Sequence, residues 1–457
     1  MQRNPGEEMN AVPQADLGPS GASKAQPGED PPFIWRNCWY PVSFLQDLPR
    51  DRPTAFTLYD EPFVLFFDGA GRLSCLKDRC PHRAARLSDG QIIDGRLECL
   101  YHGWQFGEGG QCLLIPQLYP DKDIPERAHV VGFKTVVAQN IVWVWPGDTS
   151  LVDEALVPRP PHHDMAAIHS VTFQMDLPYD QTYLIENVID VAHIHIAHDG
   201  VRGGGRRAAA KPLDFQILKS DVTGIRGTFR SVGPVRKEGN PALDGASVEF
   251  VAPNLIRYAS KYHDPGLVAG LDLYSLPLGK NKCRLLYQKY SNFTSVRERI
   301  KPRWLEHLTQ CTILEQDMAV VVGQHEQIER DGAQLRDIWF PLKTSDRLVL
   351  EYRKWLDRFG GELPFHRGFA TAHNSGPDRT LAKLPVDRHV LHTKICATCN
   401  RLHKSLGRSV AALWVFVALA GLAALFIDSG GGRVAVGILV AAALLTIAGA
   451  RALQSRL

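Results

Sequence analysis

The chain has 457 residues, of which 22% are charged and 44% hydrophobic, and its formal net charge is +3 at pH 7. This length exceeds what one small cofactor domain needs and predicts two or three domains, each with its own core. The nearly balanced charge argues against a nucleic-acid-binding protein, which would show a strongly basic surface. Nine cysteines are too few for a disulfide scaffold, which indicates a reducing compartment.

The first residues have the composition of a disordered tail. Pro, Gly, Ala and Ser dominate residues 1–31, and large apolar side chains are few. Such a segment cannot bury enough apolar surface to offset the entropy lost on ordering. It lacks the apolar stretch of a secretory signal, and its acidic residues do not suit a transit peptide. We expect a disordered tail, and a bacterial source is the simplest interpretation.

Residues 32–150 alternate short apolar runs with turns, which predicts a small antiparallel β domain. The runs Phe63–Phe67 and Leu73–Leu76 flank the turn Asp68–Gly71, and a later run spans Asn140–Trp145. Strands of this length leave cofactor ligands at the tips of the connecting loops.

Two mixed Cys-His pairs lie in this region: Cys80-Pro-His82 and, after sixteen residues, Cys99-Leu-Tyr-His102. A Rieske [2Fe–2S] cluster takes two thiolates on one iron and two imidazoles on the other. Zinc is the alternative, but zinc fingers mostly pair Cys with Cys and His with His. The mixed pairs therefore predict Cys80, His82, Cys99 and His102 as ligands of a Rieske cluster, and one-electron chemistry.

The residues around these pairs resemble the Rieske domains of oxygenases. The resemblance is carried by Asp78-Arg-Cys-Pro-His-Arg83, Leu87-Ser-Asp-Gly90 and Cys99-x-x-His102-Gly-Trp104. Rieske proteins of respiratory complexes usually have a further cysteine on each cluster loop, and this chain has none there. A purely respiratory electron carrier is therefore disfavoured.

Residues 186–199 contain three histidines and three carboxylates. Mononuclear iron that activates O2 takes two histidines and one carboxylate and keeps open positions. The spacing Asp190-x-x-His193-x4-His198 resembles the mononuclear-iron motif of Rieske oxygenases, which implies that His193 and His198 are iron ligands. Residues five apart do not lie on the same face of an ideal helix, so that the helix must distort or end near Ile196.

The carboxylate ligand is expected far along the chain. Residues 151–375 mix strands, such as Ser247–Val251 and Arg284–Tyr290, with a long helical stretch at 296–330, which predicts an α+β catalytic domain. Apolar residues follow Asp317, so that its carboxylate is expected to face the interior; a solvated helix acid is the alternative. The resemblance supports Asp317 as the third iron ligand.

The same resemblance gives a separate role to Asp190. In oxygenases of this type the equivalent acid bridges a cluster histidine of a neighbouring subunit to an iron histidine, since one carboxylate can accept from two imidazole N–H groups. This implies a ring of subunits, expected to be a homotrimer. Asn187 belongs to the same motif, and we assign it to catalysis together with Asp190.

Residues 376–405 form a linker that contains Cys396-x-x-Cys399. Three interpretations are open: a redox pair read by a thioredoxin-like partner, a metal site completed by His392 and His403, or two cysteines without a special role. A redox pair is the preferred one.

Two apolar segments end the chain. Val410–Ile427 is eighteen residues long and Val434–Ala450 is seventeen, and neither contains a charge. Each is just long enough to cross a bilayer, and a buried helical hairpin is the alternative. Arg and Lys flank the outer ends of the pair, whereas the connection holds only Arg433, so that both ends and the catalytic body are expected on the cytoplasmic side.

Further motifs resemble the pheophorbide a oxygenase family, which includes Tic55-like and protochlorophyllide-oxygenase-like membrane proteins. They are Trp39-Tyr-Pro-Val42, Ile115-Pro-Gln117, Trp143-Val-Trp-Pro-Gly147, Glu186-Asn187, Asp190–His198, Cys396-x-x-Cys399 and the two apolar segments. This resemblance implies chlorophyll-derived tetrapyrrole substrates and electrons from reduced ferredoxin. Val191, where the family often has Pro, and Asp199, where it often has His or Lys, depart from the pattern. An arginine is expected to meet a tetrapyrrole carboxylate, and the open candidates are Arg202, Arg206, Arg207 or Arg257.

The sequence thus predicts an α+β protein: a small antiparallel β Rieske domain (32–150), a helix-grip-like mononuclear iron domain (151–375), a linker (376–405) and a transmembrane hairpin (406–457). The predicted function is a membrane-anchored oxygenase, in a bacterial plasma or thylakoid membrane, that uses O2, a ferredoxin-like donor and a hydrophobic substrate, with no nucleic-acid partner. A sterol or lipid oxygenase or desaturase is the rival enzyme. A membrane electron carrier or an import or scaffold component is the non-enzymatic alternative.

Overall fold

The computed structural model describes residues 33–159, 168–201, 204–231, 243–374 and 386–457. The predicted tail at 1–31 and the candidate Arg202 lie outside the described residues.

The first part of the chain folds into two antiparallel sheets. Its strands are β1 (Tyr40–Phe44), β2 (Thr54–Leu58), β3 (Glu61–Phe67), β4 (Leu73–Lys77), β5 (Gln91–Ile93), β6 (Arg96–Glu98), β7 (Gln105–Phe106), β8 (Cys112–Leu114), β9 (Gly132–Ala138) and β10 (Ile141–Trp145). One sheet has the order β1-β10-β9-β4-β3-β2 and the other the order β5-β6-β7-β8. Both Cys-His loops begin where a strand of one of these sheets ends, Cys80 after β4 and Cys99 after β6.

The second part is built on one large antiparallel sheet with helices. Its elements are β11 (His169–Leu177), α1 (Gln181–Ile189), α2 (Ile194–Ala197), β12 (Leu213–Asp221), β13 (Gly224–Ser231), β14 (Leu243–Val251), β15 (Leu255–Tyr262), β16 (Ala269–Gly279), β17 (Lys282–Ser291), α3 (Val296–Arg299), α4 (Arg303–Asp331), α5 (Leu335–Ile338), α6 (Arg347–Phe359), β18 (Phe365–Arg367) and β19 (Ala372–Asn374). The sheet order is β11-β17-β16-β15-β14-β13-β12, and β18 pairs with β19.

Strand β10 joins the two parts. All five of its residues are buried, which explains why the strand reads as a continuous apolar run. Val142 and Val144 belong to a core that includes Phe173 of β11. Trp143 packs edge-on against Tyr274 of β16, with ring centroids 5.4 Å apart. The two predicted domains therefore pack through apolar side chains.

A proline and a glycine set the two ends of the long helix α4. The predicted helical stretch is broken by Pro302, which has no backbone N–H to donate, so that α3 ends before it and α4 begins after it. Gly332 ends α4 in the left-handed conformation (φ 62°) that favours glycine, and its N–H donates to the carbonyl of Ile328 at 3.1 Å. The result is a helix of 29 residues that runs about 43 Å past the sheet.

The C-terminal part consists of a π-helical turn at His389–Thr393 followed by α7 (Ala397–Ala424) and α8 (Gly430–Gln454). Both helices are long and apolar enough to cross a membrane, and only 6% and 11% of their most apolar windows are buried. Neither helix is therefore buried within the described part of the chain. The predicted fold class, with its two apolar C-terminal helices, is confirmed.

Candidate metal centres

The two Cys-His loops have matching backbone turns. The N–H of Ala84 donates to the carbonyl of Cys80, and the N–H of Gly103 donates to the carbonyl of Cys99, each at 2.9 Å. Each turn closes on a residue with positive φ, 59° at Ala84 and 73° at Gly103. A Cβ on Gly103 would also lie 3.2 Å from the side chain of Pro116. Glycine is therefore suited to this position for both conformation and space.

A buried carboxylate supports the first loop. Asp78 is 4% exposed, and its oxygens accept from the N–H and the hydroxyl of Ser88 at 2.7 and 2.5 Å. These bonds tie the strand end that precedes Cys80 to the turn that follows the loop. The Asp-Arg-Cys-Pro-His segment is thus held at its base.

The ligand candidates have opposite exposures. The Cys80 and Cys99 side chains are buried, whereas His82 is exposed and His102 is half-buried. The two imidazole rings lie 4.4 Å apart, and His82 stacks on Trp104 at 4.7 Å. This arrangement fits the donor set of a Rieske [2Fe–2S] cluster, with two buried cysteines for one iron and two more exposed histidines for the other.

Three residues from distant parts of the chain form a His-His-Asp triad. His198 Nε2 lies 3.2 Å and His193 Nε2 lies 3.6 Å from the same oxygen, Oδ1 of Asp317. Helix α1 ends before either histidine; His193 caps the short helix α2 and His198 follows it. This break places both imidazoles toward α4, where Asp317 is only 5% exposed. The solvated alternative for Asp317 is therefore wrong.

Polar neighbours orient the triad. His198 Nδ1 lies 3.0 Å from the side-chain oxygen of Gln316, so that its proton is held there and Nε2 is left to face Asp317. Asn187 donates to Oδ1 of Asp317 at 3.4 Å. Oδ2 of Asp190 lies 3.3 Å from His193 Nδ1, while its Oδ1 accepts from the N–H of Ala192 at 2.8 Å. Two histidines and a carboxylate on one side of the site are the donor set that mononuclear iron(II) takes.

The carboxylate of Asp317 also changes the titration of a triad imidazole. When the imidazole of His198 is doubly protonated, its Nε2 donates to this carboxylate, so that Asp317 raises the pKa of the imidazole; burial of the ring opposes this effect. An anion at this position favours any positive charge bound beside it, whether a proton or a metal ion.

A buried ion pair holds α1 in place beside the triad. Glu186 of α1 accepts from Arg353 of α6, with Nε at 2.5 Å, and from Gln324 of α4 at 2.8 Å. Arg353 is fully buried, and its Nη1 donates to the carbonyl of Arg367 at 2.6 Å. The side chain of Glu186 thus joins α1, α4 and α6 at the position next to Asn187.

Other residues of the motif lie apart from the triad. His195 Nδ1 accepts from the N–H of Arg206 at 3.4 Å, and Asp199 accepts from the N–H of Arg207 at 2.9 Å. Arg257 pairs with the buried Asp272 at 3.0 Å. Its neighbour in β15, Tyr258, donates to the carbonyl of Val188 in α1, so that Arg257 points to the opposite face of the sheet and away from the site.

The two cysteines at the start of α7 meet two histidines. Cys396 and Cys399 lie beside His392, as the sequence allowed, and beside His307 of α4, which the sequence did not indicate. His403 lies elsewhere, with its ring 4.4 Å from that of His389. His307 precedes Cys396 by 89 residues, so that no local spacing links them.

Comparison with known proteins identifies the family. The model of the Rieske [2Fe-2S] domain matches residues 38–135, and the model described as pheophorbide a oxygenase matches residues 250–334, which include Asp317. Chloroplastic pheophorbide a oxygenase of Oryza sativa subsp. japonica is 33% identical over 454 residues, which cover 90% of this chain and 82% of that protein. The chain belongs to the pheophorbide a oxygenase family.

A second family relative is the chloroplastic protein TIC 55 of Arabidopsis thaliana, 36% identical over 349 residues, which cover 74% of this chain. The chain spans 62% of the length of that relative. Among solved structures, dicamba monooxygenase bound to dicamba matches with a TM-score of 0.59 and 22% identity, over 70% of this chain and 96% of that one. This likeness shows that the fold is that of a Rieske oxygenase. The predicted Rieske cluster and mononuclear iron are confirmed as the cofactors of this domain combination.

Proposed function

We propose that this member of the pheophorbide a oxygenase family is an O2-dependent oxygenase that acts on a chlorophyll-derived tetrapyrrole. The observation that carries the proposal is the convergence of His193 and His198 with Asp317, at 3.6 and 3.2 Å, in a chain that also has both Cys-His loops. An electron carrier or a scaffold protein has no need for a second metal site of this kind.

The division of labour follows from the donor sets. The [2Fe–2S] cluster would be held by Cys80, His82, Cys99 and His102, and iron(II) by the triad. When bound, the cluster would supply single electrons and the iron would offer open positions for O2. The protein's own residues keep both groups in place and keep their ligands in the correct protonation state.

Asp190 and Asn187 are positioning residues in this proposal. Oδ2 of Asp190 lies 3.3 Å from Nδ1 of His193, which has no hydrogen-bond partner among the described residues; a small rotation of the carboxylate would let it accept from this nitrogen and keep the proton of the imidazole on the side away from Asp317. Its side chain is 23% exposed, which leaves room for a hydrogen bond from a cluster imidazole of a neighbouring subunit in a homotrimer. Asn187 donates to Asp317 and restrains its carboxylate.

The electron donor is proposed to be a ferredoxin. The ring of Tyr101 lies 4.1 Å from that of His102, and Tyr101 and its neighbour Leu100 are 56% and 60% exposed. A docking surface of this kind, apolar beside the electron-transfer imidazoles, suits a partner protein.

The family and the site both support the proposed substrate class. Relatives in the family are called pheophorbide a oxygenase and chlorophyllide a oxygenase. Arg206 and Arg207 make backbone contacts with the iron motif and are exposed, so that they are the arginines we propose to meet a substrate carboxylate. In this proposal α7 and α8 form a membrane anchor, the catalytic body lies on the cytoplasmic side, and the domains have the bounds predicted from the sequence. An apolar substrate would then reach the site from the bilayer.

The metal assignment is tested with the full chain in detergent. Asp317→Ala should lose the mononuclear iron, measured as one iron fewer per chain and as loss of the EPR signal that nitric oxide gives with iron(II). The EPR signal of the reduced Rieske cluster should remain. Asp331→Ala, on an exposed carboxylate at the end of the same helix, is the matched control and should keep three irons. An Asp317→Ala protein that keeps three irons and turns over would refute the triad.

The activity is tested with pheophorbide a, chlorophyllide a, protochlorophyllide and a sterol, each incubated with reduced ferredoxin and labelled O2. One labelled oxygen atom should enter a tetrapyrrole and none should enter the sterol. Asp190→Asn should keep both metal signals and slow turnover by about 10- to 100-fold. Label in the sterol alone would favour the lipid oxygenase, and no label in any substrate would favour an electron carrier.

A further inference from the structure

Four buried side chains with metal-binding atoms meet beside the C-terminal helices, away from both centres described above. They are His307, His392, Cys396 and Cys399, referred to below as the Cys2His2 group. The two cysteines are 0% exposed and the two histidines 1%. One ligand atom from each lies within 4.8 Å of the others.

The distances within the group match one four-coordinate ion. His392 Nε2 lies 3.3 Å from the sulfur of Cys399, and His307 Nδ1 lies 3.5 and 3.4 Å from the sulfurs of Cys396 and Cys399. Zinc bonds of about 2.3 Å to sulfur and about 2.0 Å to nitrogen, at the tetrahedral angle, place sulfur and nitrogen roughly 3.5 Å apart. Three of the six distances among the ligand atoms thus already match one tetrahedral ion, and the other three are within 4.8 Å.

The protonation of both imidazoles is set by backbone carbonyls. His307 Nε2 lies 2.9 Å from the carbonyl oxygen of Thr172, and His392 Nδ1 lies 2.7 Å from that of Gln174. A carbonyl can only accept, so each of these ring nitrogens carries the proton and the other ring nitrogen presents a lone pair to the sulfurs. Metal-binding histidines are oriented by second hydrogen bonds of this kind.

Both carbonyls that accept from the imidazoles lie on the edge of the seven-stranded sheet. Thr172 and Gln174 are two residues apart in β11, which is an edge strand of the seven-stranded sheet. Carbonyls two residues apart on an edge point the same way and have no strand to pair with. The imidazoles of α4 and of the π-helical turn occupy this free edge.

Electrostatics favours a dication over the alternatives. Two thiolates balance the two positive charges of zinc, so that the buried group is neutral overall. A disulfide between Cys396 and Cys399 would leave two buried imidazole lone pairs facing sulfur atoms that have no proton to donate. Buried polar atoms without hydrogen-bond partners are unfavourable, so that the reduced pair with a bound dication is the better match to this group.

We propose that the Cys2His2 group binds one zinc ion as a structural site. All four ligands come from the protein and the site is closed, which distinguishes it from a catalytic zinc centre with an open position. The ion joins three segments that are far apart in sequence: α4, the π-helical turn and the start of α7. It therefore fastens the apolar C-terminal helices to the sheet and to the helix that carries Asp317.

The proposal is tested first on the unmodified full chain, purified in detergent with reductant and washed with EDTA. Elemental analysis should give about one zinc per chain besides the irons, and zinc-edge X-ray absorption should show two sulfur and two nitrogen neighbours. Less than one zinc in five chains, zinc with oxygen and nitrogen neighbours only, or a Cys396–Cys399 disulfide found by mass spectrometry would overturn it.

Variants then test the ligands. Cys396→Ser and His307→Gln should each lower the zinc content at least fivefold, while the Rieske EPR signal remains. Cys311→Ser is the matched control, because Cys311 is also buried on α4 but is outside the group, and it should keep its zinc. His403→Gln should keep it as well. Zinc retained in both ligand variants, or lost equally in the controls, would refute the assignment; if the ligand variants do not accumulate, the X-ray absorption of the unmodified chain decides.

Discussion

Removal of the buried cation at Arg353 should destabilise the catalytic part strongly. The guanidinium is fully buried and donates to Glu186, whose other oxygen is bonded to Gln324. Arg353→Met keeps most of the side-chain volume but leaves the Glu186 carboxylate without its counter-charge. Breaking a buried pair in this way costs about 3–5 kcal/mol.

The cost has a ceiling that depends on pH. A carboxylate left alone can escape by binding a proton, which for an ordinary glutamic acid costs about 4 kcal/mol at pH 7 and about 2 kcal/mol at pH 5.5. The deficit of Arg353→Met should therefore shrink by about half over this range. In Glu186→Gln the unpaired group is a guanidinium, which cannot lose its proton, so that its deficit should not shrink.

Thermal unfolding of the full chain in detergent, at a fixed scan rate, measures both variants against the unmodified protein at each pH. At about 2–4 °C per kcal/mol, Arg353→Met should unfold roughly 6–16 °C earlier at pH 7. The double variant Glu186→Leu with Arg353→Met removes both charges and should recover much of the loss. A single variant within 2 °C of the unmodified protein, or a double variant worse than both singles, would refute this reasoning.

Three further predictions concern other parts of the molecule. Gly103→Ala, at φ 73°, should cost about 1–2 kcal/mol and lower the Rieske cluster content, measured by EPR per chain. Burial, aided by His373, lowers the pKa of His366 to about 4; its neutral form is then favoured by the fold, so that stability should fall as pH drops from 6.5 toward 4, by about 2 kcal/mol at pH 5. Leu419→Lys, at a position that is 60% exposed in α7, should weaken membrane insertion, because a lysine in mid-span costs about 2.5–3.5 kcal/mol.

Each has a control. Gly71→Ala introduces similar strain (φ 76°) in a turn with no atom within 4 Å of the new Cβ, and should leave cluster content unchanged. His366→Gln should flatten the fall in thermal stability between pH 7 and pH 5, and an unchanged slope would exclude this histidine as its source. Leu419→Ile should stay in the membrane after alkaline extraction, whereas Leu419→Lys should be released in part; equal retention would argue against a spanning α7.

The sequence predicted the centres whose ligands have short spacings. Cys80 to His102 and Asp190 to His198 are each local, so that loop length and motif were sufficient. Asp317 lies 119 residues after His198, and its position was inferred only from its apolar neighbours and from the family resemblance. The contact with Gln316 was missed, because it depends on how α4 is turned about its axis.

The Cys2His2 group could be predicted only in part from the sequence. The local spacing indicates Cys396, Cys399 and His392, but it favours His403 as the fourth residue, whereas the fourth residue is His307 of α4. The contact exists because α4 and the π-helical turn both pack on β11, a tertiary arrangement that leaves no mark in spacing or composition. Likewise, the pairing of Arg257 with Asp272 could not be read from one strand alone.

Contacts along helix α4 fix the position of Asp317 in the iron centre. Near its start Arg303 pairs with Asp47 at 2.8 Å, in mid-helix Glu315 pairs with Arg388 at 2.5 Å, and farther along Gln324 is bonded to α1. A slip of one residue in this register would turn Asp317 by about 100°, out of reach of both histidines. The position of Asp317 relative to the two histidines is thus set by contacts spread along about 30 Å of helix. Substitutions far from the triad can therefore displace this carboxylate without changing a metal ligand.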